Sequence, residues 1–200
     1  PYNQVFQQLL EPNSLIHSNT KGYSILLVRV DDFVRYSDKT MTFVEKKKKC
    51  EEAMTELITA LKSTAEKLSS SLIFYLLPCD SKGDKKLTNF YTKLEDSFAQ
   101  QVSSIKNVYF KNRQEWEALY PVKAKYDTYS DTGGHVPFTS EYFTGLATSI
   151  ARAIYRLKTP QHKVIVVDCD NTLWKGICGE MHPEEIEIDP ARNRFHQFLL

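Results

Sequence analysis

The feature that most constrains the fold is a repeated order of a short apolar run followed by a long helical pattern. Three apolar runs rich in β-forming residues are predicted to be buried strands: Tyr23 to Val30, Ser71 to Leu77 and Asn107 to Phe110. After the first run, apolar residues such as Cys50, Leu57 and Leu68 recur with the spacing of one helix face. Since parallel strands need crossover connections, this order predicts an α/β fold, a three-layer α/β/α domain with a mostly parallel sheet.

A second unit is predicted after the last amphipathic helix of this domain. That helix covers Phe143 to Leu157, and the polar stretch "LKTPQHK" that follows is typical of a linker. The run Lys163 to Val167 then predicts one more buried strand. We therefore place the boundary near Thr159 to His162, with domains at residues 1–159 and 163–200. The second stretch is too short to fold alone, so we expect it to open a larger domain.

Composition excludes several classes of protein. The formal net charge is +1, which gives no general argument for nucleic-acid binding, and the basic run Lys46 to Lys49 is flanked by glutamates as in a solvated helix start. The apolar runs are too short to cross a bilayer, so we expect no membrane partner. The four cysteines show no CxxC spacing, which argues against zinc and favours reduced thiols in a cytoplasmic protein.

Two aspartates follow the last predicted strand directly. In an extended chain, Asp168 and Asp170 point to the same side, where their like charges repel. A magnesium ion would relieve this repulsion, because Mg²⁺ prefers oxygen ligands and binds through one or two carboxylates plus substrate phosphate. One aspartate could then attack phosphorus while the other transfers protons. The alternative is a capping or Asx-turn pair, and the DxD spacing alone is compatible with both.

The longer string carries a family resemblance. "VIVVDCDNTLWKGICGE" resembles motif I of the haloacid dehalogenase (HAD) superfamily, and its pattern DxDNTLWxGxxGE is similar to the FkbH-like branch. Three upstream strings are similar to the region that precedes the phosphatase fold in those proteins: "PYNQVFQQLLEPNS", "SILLVRVDDF" and "GGHVPFTSEYFTGLATSIARAIYRL". The resemblance therefore covers nearly the whole chain and implies a HAD-type, Rossmann-like second domain.

The resemblance also implies roles for single residues. Asp168 matches the phosphatase nucleophile and Asp170 the general acid/base, and both match ligands of Mg²⁺. Thr172 matches the motif threonine that contacts substrate, and Cys169 matches the residue that carries an acyl group as a thioester. The other residues of such a phosphatase site are implied beyond Leu200.

The FkbH-like resemblance implies a reaction on a biosynthetic assembly line. Such a protein dephosphorylates a phosphorylated glycerate and forms a glyceryl thioester. It then passes the glyceryl group to an acyl carrier protein in polyketide or nonribosomal peptide synthesis. Two other functions stay open at this point. The first is a non-catalytic module that docks a carrier protein, and the second is a plain magnesium-dependent phosphatase of small molecules.

The first domain resembles an SGNH-type hydrolase fold, which is flavodoxin-like. Such enzymes place a histidine in the loop before the last helix, which here is His135, with Asp127 and Asp131 as candidate orienting partners for a general base. The serine nucleophile expected after the first strand is missing from "SILLVRVDDF" and is implied before Pro1 or lost. The alternative is that His135 only joins the loop to the helix. We interpret Trp174 as a packing residue.

Overall fold

The computed structural model describes residues 4–37, 40–160 and 164–199. The chain divides into two compact units, Pro1–Tyr155 and Arg156–Leu200. Each unit is described by itself below. The predicted linker region extends to His162 and the last predicted strand starts at Lys163, and residues 161–163 lie outside the described part.

The regular elements of the described residues begin with two helices, alternate between strands and helices in the middle of the first unit, and end with helices. In chain order they are α1 (Val5–Leu10), α2 (Leu15–Ser18), β1 (Ser24–Arg29), a 3₁₀ helix (Val30–Phe33), α3 (Phe43–Ala65), β2 (Leu72–Leu77), α4 (Lys85–Val102), β3 (Val108–Lys111), α5 (Arg113–Leu119), α6 (Thr128–Gly134), α7 (Ser140–Lys158), a second 3₁₀ helix (Pro183–Glu185) and α8 (Pro190–Leu199). No described helix is both long enough and apolar enough to cross a membrane.

The three strands form one parallel sheet in the order β1-β2-β3. Ser24 pairs with Leu72, and Leu72 pairs in turn with Val108. All three predicted strands of the first domain are therefore confirmed. The central strand β2 is buried along its whole length, as expected for a parallel strand covered on both faces.

Side chains that alternate along β2 enter two different layers. Phe74 lies on the face covered by α3 and α4, with its ring 5.2 Å from that of Phe98 in α4. Tyr75 points to the other face, where its hydroxyl lies 3.0 Å from Ser149 Oγ of α7 and its ring 6.1 Å from Trp116 of α5. Helices thus cover both faces, and the predicted α/β fold is confirmed.

Local signals fix where the long helices begin. Thr42 and Glu45 form a reciprocal capping box at the start of α3. The Asp84 carboxylate accepts hydrogen bonds from the backbone N–H groups of Lys86 and Leu87 at the start of α4. Because α3 and α4 each follow a strand, both helices begin near the carboxyl edge of the sheet.

The strand predicted after the linker is not formed. Residues 164–169 have no regular secondary structure, and Val164, Ile165 and Val166 are 74%, 65% and 91% exposed. A strand needs a neighbour to satisfy its backbone groups, and within residues 164–199 no strand is present to pair with this one. The prediction that Asp168 ends a buried strand is therefore wrong for the described part of the second unit.

Leu61→Ala should destabilise the first unit strongly, because Leu61 of α3 is fully buried at 0% exposure. We expect the free energy of unfolding to fall by about 2–5 kcal/mol, from lost apolar transfer and the cavity left behind. Urea unfolding measures this loss. Leu119→Ala is the matched control, since Leu119 is 71% exposed and should change stability by less than about 0.5 kcal/mol. Equal losses for the two variants would contradict the packing described here.

Candidate functional site

The segment that contains the aspartate pair turns sharply at Cys169. The Cys169 carbonyl accepts hydrogen bonds from the backbone N–H groups of Thr172 at 3.2 Å and Leu173 at 2.8 Å. Asn171 adopts a left-handed backbone with a φ of 58°, which Asn tolerates better than most residues. Strict strand alternation, which would place the Cys169 side chain opposite the two carboxylates, therefore does not apply at this turn.

Asp170 holds the loop that follows. Its Oδ1 accepts hydrogen bonds from Trp174 Nε1 and from the backbone N–H of Cys178, both at 3.1 Å. Trp174 thus donates a hydrogen bond to a predicted site residue. The sequence-based interpretation of Trp174 as a packing residue did not include this role. The available signal was that an indole N–H usually needs a partner.

Gly176 closes the same loop. Its N–H donates to Asn171 Oδ1 at 3.0 Å, and its carbonyl accepts from the Asn171 N–H at 3.2 Å. Its φ of 119° strains any residue with a side chain, and a Cβ there would lie 2.9 Å from Met181 Sδ. A glycine is therefore required for the loop to fold back on the aspartates.

The other predicted site residues are accessible. Asp168 is exposed, and its Oδ1 accepts a hydrogen bond from the Cys169 N–H at 2.9 Å. Cys169 is an exposed free thiol, as is Cys178 further along the loop. Thr172 is partly buried within the turn. Asp168 and Cys169 are therefore open to a reactant, whereas Asp170 is held by the loop.

Helix α8 contacts the backbone of the turn through two residues, Arg192 and His196, which sequence reasoning did not identify. Arg192 Nη2 donates to the Asn171 carbonyl at 2.7 Å, and its Nη1 is paired with Asp189. His196 Nε2 lies 2.7 Å from the Leu173 carbonyl; because a carbonyl only accepts, Nε2 carries the hydrogen. The turn is thus fixed on α8 within the second unit.

The donor set partly fits a magnesium ion. Carboxylate and carbonyl oxygens are the ligands that Mg²⁺ prefers, and Asp168 would supply a carboxylate and Asp170 a backbone carbonyl. Over residues 4–37, 40–160 and 164–199, no three His, Cys, Asp or Glu side chains gather closely enough to hold an ion. The predicted ligands fit in chemical type, and the described residues do not complete an all-protein site.

A second set of polar residues lies in the first unit, where β1 ends. Arg29 donates to Asp32 Oδ1 through Nε at 3.1 Å and Nη2 at 2.6 Å. Arg35 donates to Asp131 Oδ1 through Nη1 at 2.8 Å, which joins the residues after β1 to α6. We call Arg29, Asp32, Arg35, Asp131 and His135 the carboxyl-edge cluster. Two arginines balance two aspartates within it.

His135 ends α6 in the left-handed conformation, with a φ of 57°. Its Nδ1 lies 2.8 Å from Arg35 Nη2. A guanidinium only donates, so Nδ1 accepts this hydrogen bond and a neutral imidazole carries its hydrogen on Nε2. This differs from the geometry expected for a triad base, whose Nδ1–H donates to a carboxylate.

The carboxylates proposed to orient His135 have other hydrogen-bond donors. Asp127 caps α6 by accepting from the N–H and the hydroxyl of Ser130, and these bonds, the backbone one first, lower the pKa of Asp127. Asp131 accepts from Arg35 as described. Directly after β1 the chain reads Val30, Asp31, Asp32, Phe33, so no serine occupies the position expected for a nucleophile.

The fold and the geometry of the two units define an α/β protein with a parallel sheet followed by an aspartate-bearing loop. No family model matches the chain, and a comparison with curated proteins finds no match either. Among solved structures, the chain is similar to the crystal structure of the N-terminal part of the protein BF1531 from Bacteroides fragilis, which contains a phosphatase domain and is complexed with Mg.

The similarity to BF1531 extends over 99% of this chain, with a TM-score of 0.66 and 18% sequence identity. At this identity the likeness shows the fold alone. The chain spans about half the length of the BF1531 structure, since the match covers 55% of that chain.

Proposed function

We propose that the chain is part of a magnesium-dependent phosphatase of the HAD type, with Asp168 as its nucleophile. The observation that carries this proposal is the turn at Cys169, which leaves the Asp168 carboxylate exposed while Asp170 is held by Trp174 and Cys178. The similarity of fold to a protein with a phosphatase domain complexed with Mg supports it.

The chemistry assigns complementary tasks to the two carboxylates. Asp168 attacks phosphorus, so that an oxygen–phosphorus bond forms as the bond to the leaving oxygen breaks. Asp170 gives its proton to that leaving oxygen and later removes a proton from the water that hydrolyses the aspartyl phosphate. A magnesium ion held by Asp168 and by the backbone carbonyl of Asp170 would offset the negative charge of the phosphate. The hydrogen bonds to Asp170 fix its carboxyl group for both proton transfers.

The finer proposal is glyceryl transfer, with Cys169 as the acyl carrier. A thioester forms only from an activated acyl group, so the glycerate must carry one phosphate on its carboxyl group, which Cys169 displaces, and a second on a hydroxyl, which Asp168 removes. The Cys169 thiolate then attacks the carbonyl carbon, a carbon–sulfur bond forms and phosphate leaves. The thiol of an acyl carrier protein takes the glyceryl group by thioester exchange, and Cys169 is regenerated. The exposure of Cys169 beside Asp168 supports this role.

Asp170→Asn should slow phosphate release by the complete protein by roughly 10²-fold or more, because an amide can neither give nor take the proton. The side-chain oxygen of the introduced asparagine still accepts from Trp174 and Cys178, so the loop should keep its structure. Steady-state phosphate release with Mg²⁺ and a phosphorylated glycerate measures the effect.

Trp174→Phe is the matched control for this prediction. It removes one hydrogen bond to Asp170 and keeps the carboxyl group, so it should reduce the rate by less than Asp170→Asn does. A rate for Asp170→Asn equal to that of the wild-type protein would contradict the assigned acid/base role. Phosphate release without loading of the carrier protein would support phosphatase activity and contradict the proposal of glyceryl transfer.

A further inference from the structure

A cleft formed by residues of the first unit opens beyond the carboxyl ends of β1 and β2. Its volume is about 820 Å³, which is within the range of small-molecule sites. The 3₁₀ helix after β1, the first turns of α3 and α4, and the segment around Tyr126 line its walls. Ligands of parallel α/β sheets bind at this edge, so the position favours a binding site.

Asp31 lies in this cleft, and no described residue forms an ion pair with it. Its carboxylate accepts a hydrogen bond from the Tyr91 hydroxyl, and its backbone N–H donates to Cys79 Sγ at 3.3 Å. Burial raises the pKa of Asp31 despite that hydrogen bond. Within the described part of the chain, no lysine, arginine or histidine forms an ion pair with Asp31. A neutral donor offsets only part of the cost of burying a carboxylate.

The other carboxylates along the cleft already have partners. Asp80 accepts from the Lys82 N–H, and Asp84 caps α4. Asp127 caps α6, and Asp131 is paired with Arg35. The Asp31 carboxylate accepts from a hydroxyl, whose oxygen can itself accept a hydrogen bond, whereas the backbone N–H groups that donate to Asp80 and Asp84 cannot.

The guanidinium of Arg29, whose charge acts on Asp31, already has another partner. Arg29 lowers the pKa of Asp31 from a distance, but its Nε and Nη2 donate to Asp32. Tyr91 gives its hydroxyl hydrogen to Asp31, which leaves the lone pairs of its oxygen free to accept from another donor. A cation that donates hydrogen bonds would therefore find two acceptors side by side.

Aromatic rings form the apolar part of the wall. Phe43 and Phe90 pack edge to face with their centroids 6.2 Å apart, and Tyr91 and Tyr126 complete the aromatic lining. Aromatic faces attract organic cations, and a carboxylate among them supplies the counter-charge. This combination suits an ammonium group on a small carbon chain better than a metal ion, which needs several oxygen ligands.

We propose that this cleft binds a small organic amine, whose ammonium group donates hydrogen bonds to Asp31 and to the Tyr91 hydroxyl oxygen. The carbon chain of the amine packs against Phe43 and Phe90. The proposal does not rest on the proposed phosphatase chemistry.

Three isosteric probes test the proposal on the full chain: propylammonium, 1-propanol and propionate. Titration into ¹⁵N-labelled protein, followed by amide chemical shifts, should show saturable changes around Asp31 and Cys79 with propylammonium alone. A ligand of this size is expected to bind with a dissociation constant of about 1–10 mM. Saturable shifts of the same amides with propanol or propionate would overturn the proposal, as would their absence with propylammonium. The titration with propionate is the most demanding of the three tests, because Lys46 and Lys82 line the same cleft and would attract an anion.

Single substitutions distinguish the contribution of Asp31 to propylammonium binding from the contributions of nearby residues. Asp31→Asn should weaken propylammonium binding by about tenfold or more, since a charge-assisted hydrogen bond is lost, while the amide oxygen still accepts from Tyr91. Tyr91→Phe should leave binding in place, because the carboxylate remains. Asp96→Asn is the matched control, since Asp96 is an exposed carboxylate of α4 outside the lining of the cleft, and it should change affinity by less than about twofold. Unchanged affinity for Asp31→Asn, with a wild-type amide spectrum elsewhere, would refute the assignment.

Discussion

Asp168→Asn is expected to abolish phosphate release by the complete protein from a glycerate that is phosphorylated only on a hydroxyl, a loss of about 10³-fold or more, because a carboxamide cannot attack phosphorus. Asp168 is exposed, and the Oδ1 of an asparagine would still accept the hydrogen bond from the Cys169 N–H. The substitution therefore removes the nucleophile and leaves the turn intact. Phosphate release with and without Mg²⁺ measures the effect.

Glu184→Gln is the matched control for Asp168→Asn. Glu184 is an exposed carboxylate of the same unit, in the 3₁₀ helix Pro183–Glu185, and its loss removes one negative charge without touching the turn. We expect its rate to stay within about twofold of the wild-type rate, as for most surface substitutions. Magnesium-dependent phosphate release that survives Asp168→Asn would refute the assignment of the nucleophile.

Cys169→Ala is expected to remove all glyceryl loading of the carrier protein, because the variant lacks the thiol proposed to form the thioester. Intact-protein mass spectrometry of the complete protein with a carrier protein and a phosphorylated glycerate detects the adduct. The wild-type protein should gain the mass of one glyceryl group, which hydroxylamine removes. The variant should show neither this adduct nor a loaded carrier.

Cys178→Ala is the control for the thioester. Cys178 is a second exposed thiol of the same loop, and its contact with Asp170 runs through the backbone N–H, which alanine keeps. Loading should therefore persist in Cys178→Ala. A glyceryl adduct on Cys169→Ala would place the thioester elsewhere, and carrier loading by that variant would show that no Cys169 intermediate is needed.

The first domain could be predicted from sequence because its signals are local. Apolar runs such as Leu72–Leu77 and the helical spacing around Leu57 and Leu61 define strands and helices within a few turns of chain. The order of these elements then favours a parallel sheet, as observed. The prediction of a strand at Lys163 to Val167 was wrong for its described residues because strand formation also depends on residues distant in sequence. The apolar residues of this segment satisfy the local pattern, but a strand also needs a neighbour, which local sequence does not supply.

The candidate sites depend on contacts that no local pattern encodes. Asp31 meets Cys79 and Tyr91 across 48 and 60 residues of sequence, and Arg35 meets His135 across 100. The sequence marked His135 as a candidate base but gave no reason to place a guanidinium on its Nδ1. Likewise, DxD spacing predicted the carboxylate pair, whereas the hydrogen bond from Trp174 to Asp170 depends on how the loop folds back.

A phosphoenzyme on Asp168 is the central claim, and peptide mapping after an acid quench tests it most directly. The complete protein is mixed with Mg²⁺ and a glycerate that is phosphorylated only on a hydroxyl, and the reaction is stopped within the first turnover before the protein is digested. The account predicts one phosphate on the peptide that contains Asp168, which hydroxylamine removes and which is missing from Asp168→Asn. Phosphate release without any phosphorylated Asp168, or with phosphate on another residue, would contradict it.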